Sequence, residues 1–212
     1  MADNYLDKKM EEWRAKPMHK PASRAAASLT RLLLKNRSTR GYDPSFEVRE
    51  DQMRAILEVA TRVPSAMNRQ GLRFRPVLSN EADLILEDFR LGGGLPELKL
   101  PFPGTEPRAF IIVCPAVEPD NYLYIDLGIT AQSMLLRATE LGLNGIMIGA
   151  FDKARLQHEF NLPAQPLLLI ALGRSAEQIE LKEIGAAESH AYYRENGIHY
   201  VPKVRLDDLI LK

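Results

Sequence analysis

The sequence predicts an α+β domain, and three observations support that fold class. Residues 49–63 carry apolar side chains at the spacing of one helix face, in a region where helical patterns dominate. Apolar runs at 109–114, 144–149 and 166–172 have the length and composition of buried strands. These runs alternate with helical patterns, the longest at 122–142, so helices come first and strands then alternate with helices.

The first part of the chain is predicted to be helical. Residues 1–22 form a polar arm with a short helix, and residues 23–212 form the main domain. Ser23 is predicted to cap a helix that runs to Lys35, because a serine hydroxyl accepts a hydrogen bond from the first helical amides. The buried stripe of this helix is predicted to consist of Ala25, Leu29, Leu32 and Leu33.

The middle of the chain is predicted to hold a loop, an edge strand and a flap. Residues 64–71 are small and polar, without apolar periodicity, and so predict a loop. The strand at 72–78 contains Pro76, which lacks the backbone donor that an interior strand needs, so it is predicted at a sheet edge or to be interrupted there. Asn80 is predicted to cap a short helix, and the Gly- and Pro-rich stretch 90–107 predicts a mobile flap.

The second half of the chain carries the remaining elements. The helix at 122–142 is apolar nearly all round, which is typical of a helix buried within a domain or between subunits. Asp152 is predicted to cap a helix that ends near residue 160. After Arg174 the pattern weakens, and a last strand is predicted at 198–203.

Composition narrows the class of protein. The chain of 212 residues has 28 basic and 28 acidic side chains, and this balance predicts no nucleic-acid partner and no anionic membrane partner. The one cysteine, Cys114, lies in an apolar run and is predicted to be a buried, unreactive thiol. No secretory signal pattern and no apolar run of membrane-spanning length is present, so a cytoplasmic soluble protein is expected.

Two arginines and two hydroxyls lie within the five residues 36–40, directly after a helical pattern. The guanidinium groups of Arg37 and Arg40 carry fixed charge and a planar fork of donors, which suits a phosphate or an aromatic ring with acceptor oxygens. Ser38 and Thr39 add short donors. A solvated loop at a helix end would explain the same five residues, so the interpretation depends on partners further along the chain.

Four segments, taken in order, resemble the nitroreductase family of FMN-dependent oxidoreductases. They are Asn-Arg-Ser-Thr-Arg at 36–40, Pro-Ser-Ala-Met-Asn-Arg-Gln at 64–70, Ile-Gly-Ala-Phe-Asp at 148–152 and Pro-Lys-Val-Arg-Leu at 202–206. The resemblance implies a three-layer α/β/α fold with a central mixed sheet. It also implies an intertwined homodimer with two FMN sites at the interface. Asn36 stands where many members of the family have arginine.

The resemblance also implies roles for single residues. Arg37, Lys203 and Arg205 would hold the FMN phosphate through charge-assisted hydrogen bonds. Arg40 would lie at the pyrimidine edge of the flavin, and Ser38 would bind that edge or the ribityl chain. The partner subunit would contribute Pro64, Ser65, Ala66 and Asn68.

The strand-to-turn segment of Ile148, Gly149 and Ala150 would pass the flavin ring, with the backbone amides of Gly149 and Ala150 facing flavin N5.

The implied reaction is a two-step hydride transfer, from NADPH or NADH to flavin N5 and then to a planar nitroaromatic or quinone. No catalytic acid or base is assigned, and His19, His158, His190 and His199 show no metal-ligand spacing and are predicted to be surface or capping residues. Three alternatives stay open: enone reduction, dehalogenation, and a flavin-binding or redox-sensing module without turnover. For Lys203 and Arg205 ordinary surface charge is the alternative, and for Gly149 a strand-end turn.

Overall fold

The computed structural model describes residues 28–87, 91, 93 and 98–211. The helices are α1 (Leu29–Lys35), α2 (Glu50–Leu57), α3 (Asp83–Leu86), α4 (Asn121–Glu140), α5 (Lys153–Glu159) and α6 (Leu206–Leu209). The strands are β1 (Leu72–Val77), β2 (Ala109–Pro115), β3 (Asn144–Ile148), β4 (Leu168–Gly173), β5 (Gln178–Ile184), β6 (Tyr193–Glu195) and β7 (Ile198–Val204). The predicted arm over 1–22 and the predicted cap Ser23 lie outside the described residues.

Two sheets make up the β structure. The central sheet has the order β1-β2-β4-β3, and its four strands pair antiparallel. β1 lies at an edge, as the position of Pro76 predicts, and at the other edge a parallel bridge joins Ser38 to Gly145 of β3. The second, C-terminal sheet has the order β5-β7-β6, with β7 parallel to β5 and antiparallel to β6.

Helices cover both faces of the central sheet and produce the expected α/β/α layers. On one face, Phe110 and Ile112 of β2 share a buried cluster with Ile85 of α3 and Leu156 of α5. On the other face, the alternate residues of β2 pack in a second cluster with side chains of α2 and α4. All seven residues of β2 are buried, since a strand covered on both faces exposes neither set of side chains.

Helix α4 is the main support of the second face. Asp120 caps it by accepting a hydrogen bond from the Leu123 amide at 2.8 Å. The sequence predicts a buried stripe of Leu127, Ala131, Met134, Leu135, Ala138 and Leu141, and the first five are buried whereas Leu141 is half-buried. Tyr122, Tyr124 and Ile125 are each more than half exposed, so the all-round apolar character of this helix leaves an uncovered apolar face near its N-terminus.

Several local predictions are confirmed. Asp152 caps α5, its carboxylate accepting from the Arg155 amide at 2.9 Å. Cys114 is buried, and burial raises the pKa of its thiol. The helix predicted over 49–63 has α geometry only as far as Leu57 and continues as a 3-10 turn to Thr61.

Two local predictions are wrong. Leu29 and Leu33 of the predicted buried stripe are exposed and Leu32 is only half-buried, because α1 packs at one side of the described structure against α4; Ala25 is not among the described residues. Asn80 does not cap a helix: a backbone turn closed by the hydrogen bond from the Glu81 amide to Leu78 precedes α3, which begins at Asp83.

Candidate functional site

The basic turn, defined as residues 36–40, is fixed by the one side chain in it that is fully buried. The Thr39 hydroxyl donates to the Glu177 carboxylate at 3.0 Å and lies 2.8 Å from the Ser175 hydroxyl. The Thr39 amide donates to the carbonyl of Gly145 in β3 at 3.3 Å. The turn is therefore held against the central sheet on one side and against the segment before β5 on the other.

Glu177 is the hub of these contacts. Its carboxylate accepts hydrogen bonds from the Arg40 amide, the Thr39 hydroxyl and the guanidinium of Arg194 in β6. The Glu177 side chain is only 8% exposed, and three donors satisfy a carboxylate at this depth. The residue directly before β5 thus supplies the anion beneath the basic turn, and β6 of the C-terminal sheet supplies its arginine partner.

The basic turn opens onto a cavity of ≈ 550 Å³ between the central and C-terminal sheets. Three of the predicted site residues from the turn and one from β7 line it together, namely Arg37, Ser38, Arg40 and Lys203. The wall between them is built from side chains of α4, β3 and the C-terminal sheet, including Gln132, Met147, Tyr192, His199 and Val201. Residues more than 160 positions apart in the chain therefore share one pocket.

The arginines of the turn carry unused donors. The Nε atoms of Arg37 and Arg40 are buried and have no hydrogen-bond partner among the described residues. Partial burial lowers the pKa of the Arg37 guanidinium, which donates a hydrogen bond to the carbonyl of Leu33 in α1. Arg40 lies over the Tyr192 ring, 5.0 Å from its centroid, and donates to the Ser38 carbonyl at 3.2 Å.

Asn36 takes a structural role in the turn. Its amide nitrogen donates to the Leu135 carbonyl at 3.2 Å and to the Thr139 hydroxyl at 3.0 Å, and its amide oxygen accepts from Gln132 at 3.0 Å. This residue therefore anchors the turn to α4.

His199 was predicted to be a surface or capping residue, and that prediction is wrong. The ring is 1% exposed, because the alternation of β7 places His199 on the same face as the cavity-lining Val201 and Lys203. Burial lowers the pKa of His199, the nearby charges of Arg40 and Arg194 lower it further, and Glu177 opposes them. His158 and His190 are exposed, and His19 is outside the described residues.

A match to the family model for the nitroreductase family covers residues 33–92 and 94–174. The chain belongs to the nitroreductase family. YdgI of Bacillus subtilis, whose name assigns it provisionally to the NAD(P)H nitroreductases, is 25% identical over 179 residues, which cover 67% of this chain and 86% of YdgI.

Solved structures of the nitroreductase family share this fold. A family protein from Streptococcus pneumoniae superposes with a TM-score of 0.62 at 19% identity, and the match covers 87% of this chain and 100% of that one. A provisionally named nitroreductase from Exiguobacterium sibiricum, solved in complex with FMN, superposes with a TM-score of 0.58 at 19% identity, over 72% and 90% of the two chains.

The nitroreductase match ends at residue 174, before the C-terminal sheet begins. It includes the basic turn, the 64–70 loop and the 148–152 segment, whereas Lys203 and Arg205 lie beyond it. Glu177, Tyr192 and His199 also lie beyond it, and sequence reasoning missed all three as site residues. Only the spacing of His199, Val201 and Lys203 in the predicted last strand could have signalled that one face of this strand reaches the site.

Arg205 is not among the residues that line the cavity. It precedes α6, and its guanidinium donates to Asp208 at 2.9 Å, with the side chain more than half exposed. Its amide donates to Ile184 of β5 at 3.0 Å. Within one chain Arg205 therefore stabilises the end of the C-terminal sheet.

The 64–70 loop of this nitroreductase family member lines a separate, smaller cavity. Pro64 and Ser65 share that cavity with Asp126 of α4, whose buried carboxylate accepts from the Ala66 amide at 2.9 Å. Asn68 is exposed, has a φ of 53° and accepts from the Gln70 side chain at 3.2 Å. The loop and the basic turn of one chain thus lie in different cavities.

Successive residues of β3 and of the segment after it point to opposite faces of the central sheet, so only some of them line the larger cavity. Gly145 and Met147 line the larger cavity, whereas Ile148 is buried in the cluster on the opposite sheet face. Gly149 and Ala150 follow the strand and are exposed. By the same alternation Gly149 falls on the side of Met147.

Among the described residues, no cluster of three or more His, Cys, Asp or Glu side chains suited to a metal ion is present. Across the same part of the chain, no helix combines the length and the apolar character that a membrane crossing requires.

Proposed function

We propose that this protein is an FMN-dependent oxidoreductase that takes hydride from NADPH or NADH and passes it to nitroaromatic or quinone-type acceptors. The observation that carries the proposal is the convergence of Arg37, Ser38, Arg40 and Lys203 on one cavity. The membership in the nitroreductase family and the FMN complex of a structural neighbour also support an FMN-dependent function.

The residues present fit an FMN nucleotide by their chemistry. Arg37 and Lys203 are cations that only donate hydrogen bonds, which is what a phosphate group requires. The buried Nε atoms of Arg37 and Arg40 are orphaned donors, and an anionic ligand would satisfy donors of this kind. Arg205 is proposed only as a longer-range contributor of positive charge, because its side chain is paired with Asp208.

We propose a homodimer in which the partner's loop completes each site. Pro64, Ser65, Ala66 and Asn68 would come from the second copy, which is consistent with their separation from the basic turn within one chain. Uncovered apolar side chains on two neighbouring helices support an interface. They are Leu29, Leu33 and Leu34 of α1 and Tyr122, Tyr124, Ile125 and Ile129 of α4.

In the proposed mechanism the protein positions and polarises, and FMN when bound supplies a two-electron hydride carrier at N5. Arg37 and Lys203 would hold the phosphate, and Ser38 would bind the ribityl chain or the pyrimidine edge. Arg40, fixed by Glu177 and by the Tyr192 ring, would place positive charge at the pyrimidine edge, where it favours the reduced ring. Met147 and the exposed Gly149 and Ala150 would border the ring face that the planar acceptor uses.

The experiment that tests the proposal uses the purified full chain. FMN is added and free flavin removed, and NADPH or NADH is then mixed with the complex without oxygen while absorbance near 450 nm is followed. Bleaching, and recovery of colour with a quinone or nitroaromatic, is the expected result. A protein that retains no FMN contradicts the proposal. Retained flavin that neither nicotinamide bleaches indicates a binding module, and recovery only with an enone or a halogenated substrate indicates another acceptor class.

A further inference from the structure

One buried side chain of the larger cavity is not used by the proposed mechanism. Both ring nitrogens of His199 are buried, and neither has a hydrogen-bond partner among the described residues. The ring lines the same cavity as Arg37, Arg40 and Lys203. Buried polar atoms are almost always paired in folded proteins, so two unpaired ring nitrogens in a residue that lines a cavity indicate a missing ligand group.

The surroundings of His199 explain why the chain itself does not satisfy the ring. β7 is the central strand of the C-terminal sheet, and His199 pairs with Ile179 of β5 on one side and with Arg194 of β6 on the other. Ile179 offers no polar group, and Arg194 is engaged by Glu177. The Tyr192 ring meets His199 edge-on, with ring centroids 5.2 Å apart.

His199 lies at one end of the cavity, away from Lys203. Residues 199, 201 and 203 lie on one face of β7, so His199 and Lys203 are separated by about 13 Å along the strand. Arg40 and His199 both contact the Tyr192 ring, which places His199 at the Arg40 end. Lys203 would meet the phosphate, and His199 therefore faces the flavin end of the bound nucleotide.

The chemistry of His199 differs from that of the other charged lining residues. Arginine and lysine only donate, whereas a neutral imidazole has one donor and one acceptor nitrogen. Arg40, Arg194 and Glu177 face this ring, and burial together with the two cations lowers its pKa, which favours the neutral form. The pyrimidine edge of a flavin presents an N3–H donor between two carbonyl acceptors, and a neutral imidazole matches that arrangement.

We propose that His199 is a cofactor-contacting residue whose neutral imidazole accepts a hydrogen bond from N3–H at the pyrimidine edge of the bound flavin. The inference rests on the proposed function, because it takes FMN as the ligand. His199 lies outside the part of the chain that the nitroreductase family model matches, so the contact is a property of the C-terminal sheet of this protein.

The test compares FMN with N3-methyl-FMN, in which the N3–H donor is absent. Dissociation constants are measured by quenching of flavin fluorescence for the unaltered protein, for His199→Leu and for the control His190→Leu, which changes an exposed histidine. We expect the unaltered protein and the control to prefer FMN about tenfold, as the loss of one hydrogen bond predicts. His199→Leu should bind FMN about tenfold more weakly and should lose that preference.

The outcomes separate this inference from the proposed function. If His199→Leu binds both flavins as the unaltered protein does, while Lys203→Ala binds FMN more weakly, His199 makes no contact and the proposed function survives. If the unaltered protein takes up no FMN, both the inference about His199 and the proposed function are contradicted. Should His199→Leu fail to fold, ¹⁵N-histidine NMR of the unaltered protein decides: FMN is expected to shift the His199 ring nitrogens, and unchanged signals overturn the inference.

Discussion

The central sheet and the C-terminal sheet differ in what stabilises them. Every residue of β2 is buried, and apolar clusters cover both faces of the central sheet. In the C-terminal sheet most of β5 is exposed, and the prominent contacts are the Glu177–Arg194 ion pair and the stacked rings of Tyr193 and Tyr200, 5.1 Å apart. The polar contacts of the second sheet also shape the cavity, so stability and ligand binding are coupled there.

The comparison predicts the largest loss of stability at Gly145, where the basic turn meets the central sheet. A β-carbon at this position would clash with the Ala171 carbonyl oxygen, which belongs to the backbone of β4 between two paired strands. Gly145→Val should lower the free energy of unfolding by about 3 kcal/mol, measured by urea denaturation. The control is Gly149→Ala, because a β-carbon there meets no atom of the described residues within 4 Å, apart from its chain neighbours. Equal stability of the two variants would contradict this account.

A smaller loss is expected at Glu177 in the second region. Glu177→Ala removes the carboxylate that accepts from the Arg194 guanidinium and the Arg40 amide, while the Thr39 hydroxyl keeps the Gly41 carbonyl as an acceptor. Because Arg194 is 19% exposed and reaches some water, we expect a loss of about 2 kcal/mol in the free energy of unfolding. FMN affinity should also fall, since the basic turn loses its support.

The matched control for Glu177 is Glu58→Ala, which removes an exposed i,i+4 pair with Arg62 far from the cavity lining. Exposed pairs of this kind contribute about 0.5 kcal/mol at most. If Glu177→Ala is as stable as Glu58→Ala, or if it binds FMN normally, the C-terminal sheet does not support the basic turn.

The same contrast decides how much of the fold could be predicted from the sequence. The central elements were predictable because each has a strong period or an apolar run, and the proline in β1 even indicated the sheet edge. β5 and β6 were missed. β5 carries charged residues on largely exposed faces, and β6 has only three residues, so neither produces a pattern that apolar periodicity detects.

The site divides in the same way. The basic turn was recognisable because its cations and hydroxyls are adjacent in sequence. Glu177 and His199 were not recognisable, because each lies more than 130 positions from the basic turn: Glu177 contacts the turn, and His199 lines the cavity beside it. Such partners follow from tertiary packing, which local patterns in a single sequence do not encode.

Lys203 and Arg205, two cations at the end of the C-terminal sheet, are expected to differ in their contribution to FMN binding. The resemblance to the family assigns both to the phosphate, but only Lys203 lines the cavity, and Arg205 is paired with Asp208. Lys203→Ala should weaken FMN binding about tenfold, the lower value for a lost charge-assisted hydrogen bond. Arg205→Ala should weaken it less than threefold, measured by fluorescence titration. The reverse order would show that the end of the C-terminal sheet rearranges when FMN binds.

The smallest expected effect is a pH dependence of stability from His199. An unfolded histidine has a pKa of about 6.5, and the folded pKa is lower because the ring is buried beside Arg40 and Arg194, with Glu177 opposing them. As the pH falls below about 6.5, the unfolded chain therefore binds a proton that the folded chain resists, and stability decreases. The decrease ends once the pH has fallen through the folded pKa. One proton limits the slope to about 1.4 kcal/mol per pH unit.

The measurement is urea denaturation at pH 7.5 and 5.5 for the unaltered protein and for His199→Leu. We expect the unaltered protein to lose up to about 1 kcal/mol more than the variant over this range. The lowered pKa of Asp120, about 2 because of its hydrogen bonds from Arg69 and from the Leu123 amide, does not contribute. Its effect begins where unfolded aspartate titrates, near pH 4. An equal loss in both proteins would mean that His199 titrates freely, and the C-terminal sheet would then be more open to water than its burial indicates.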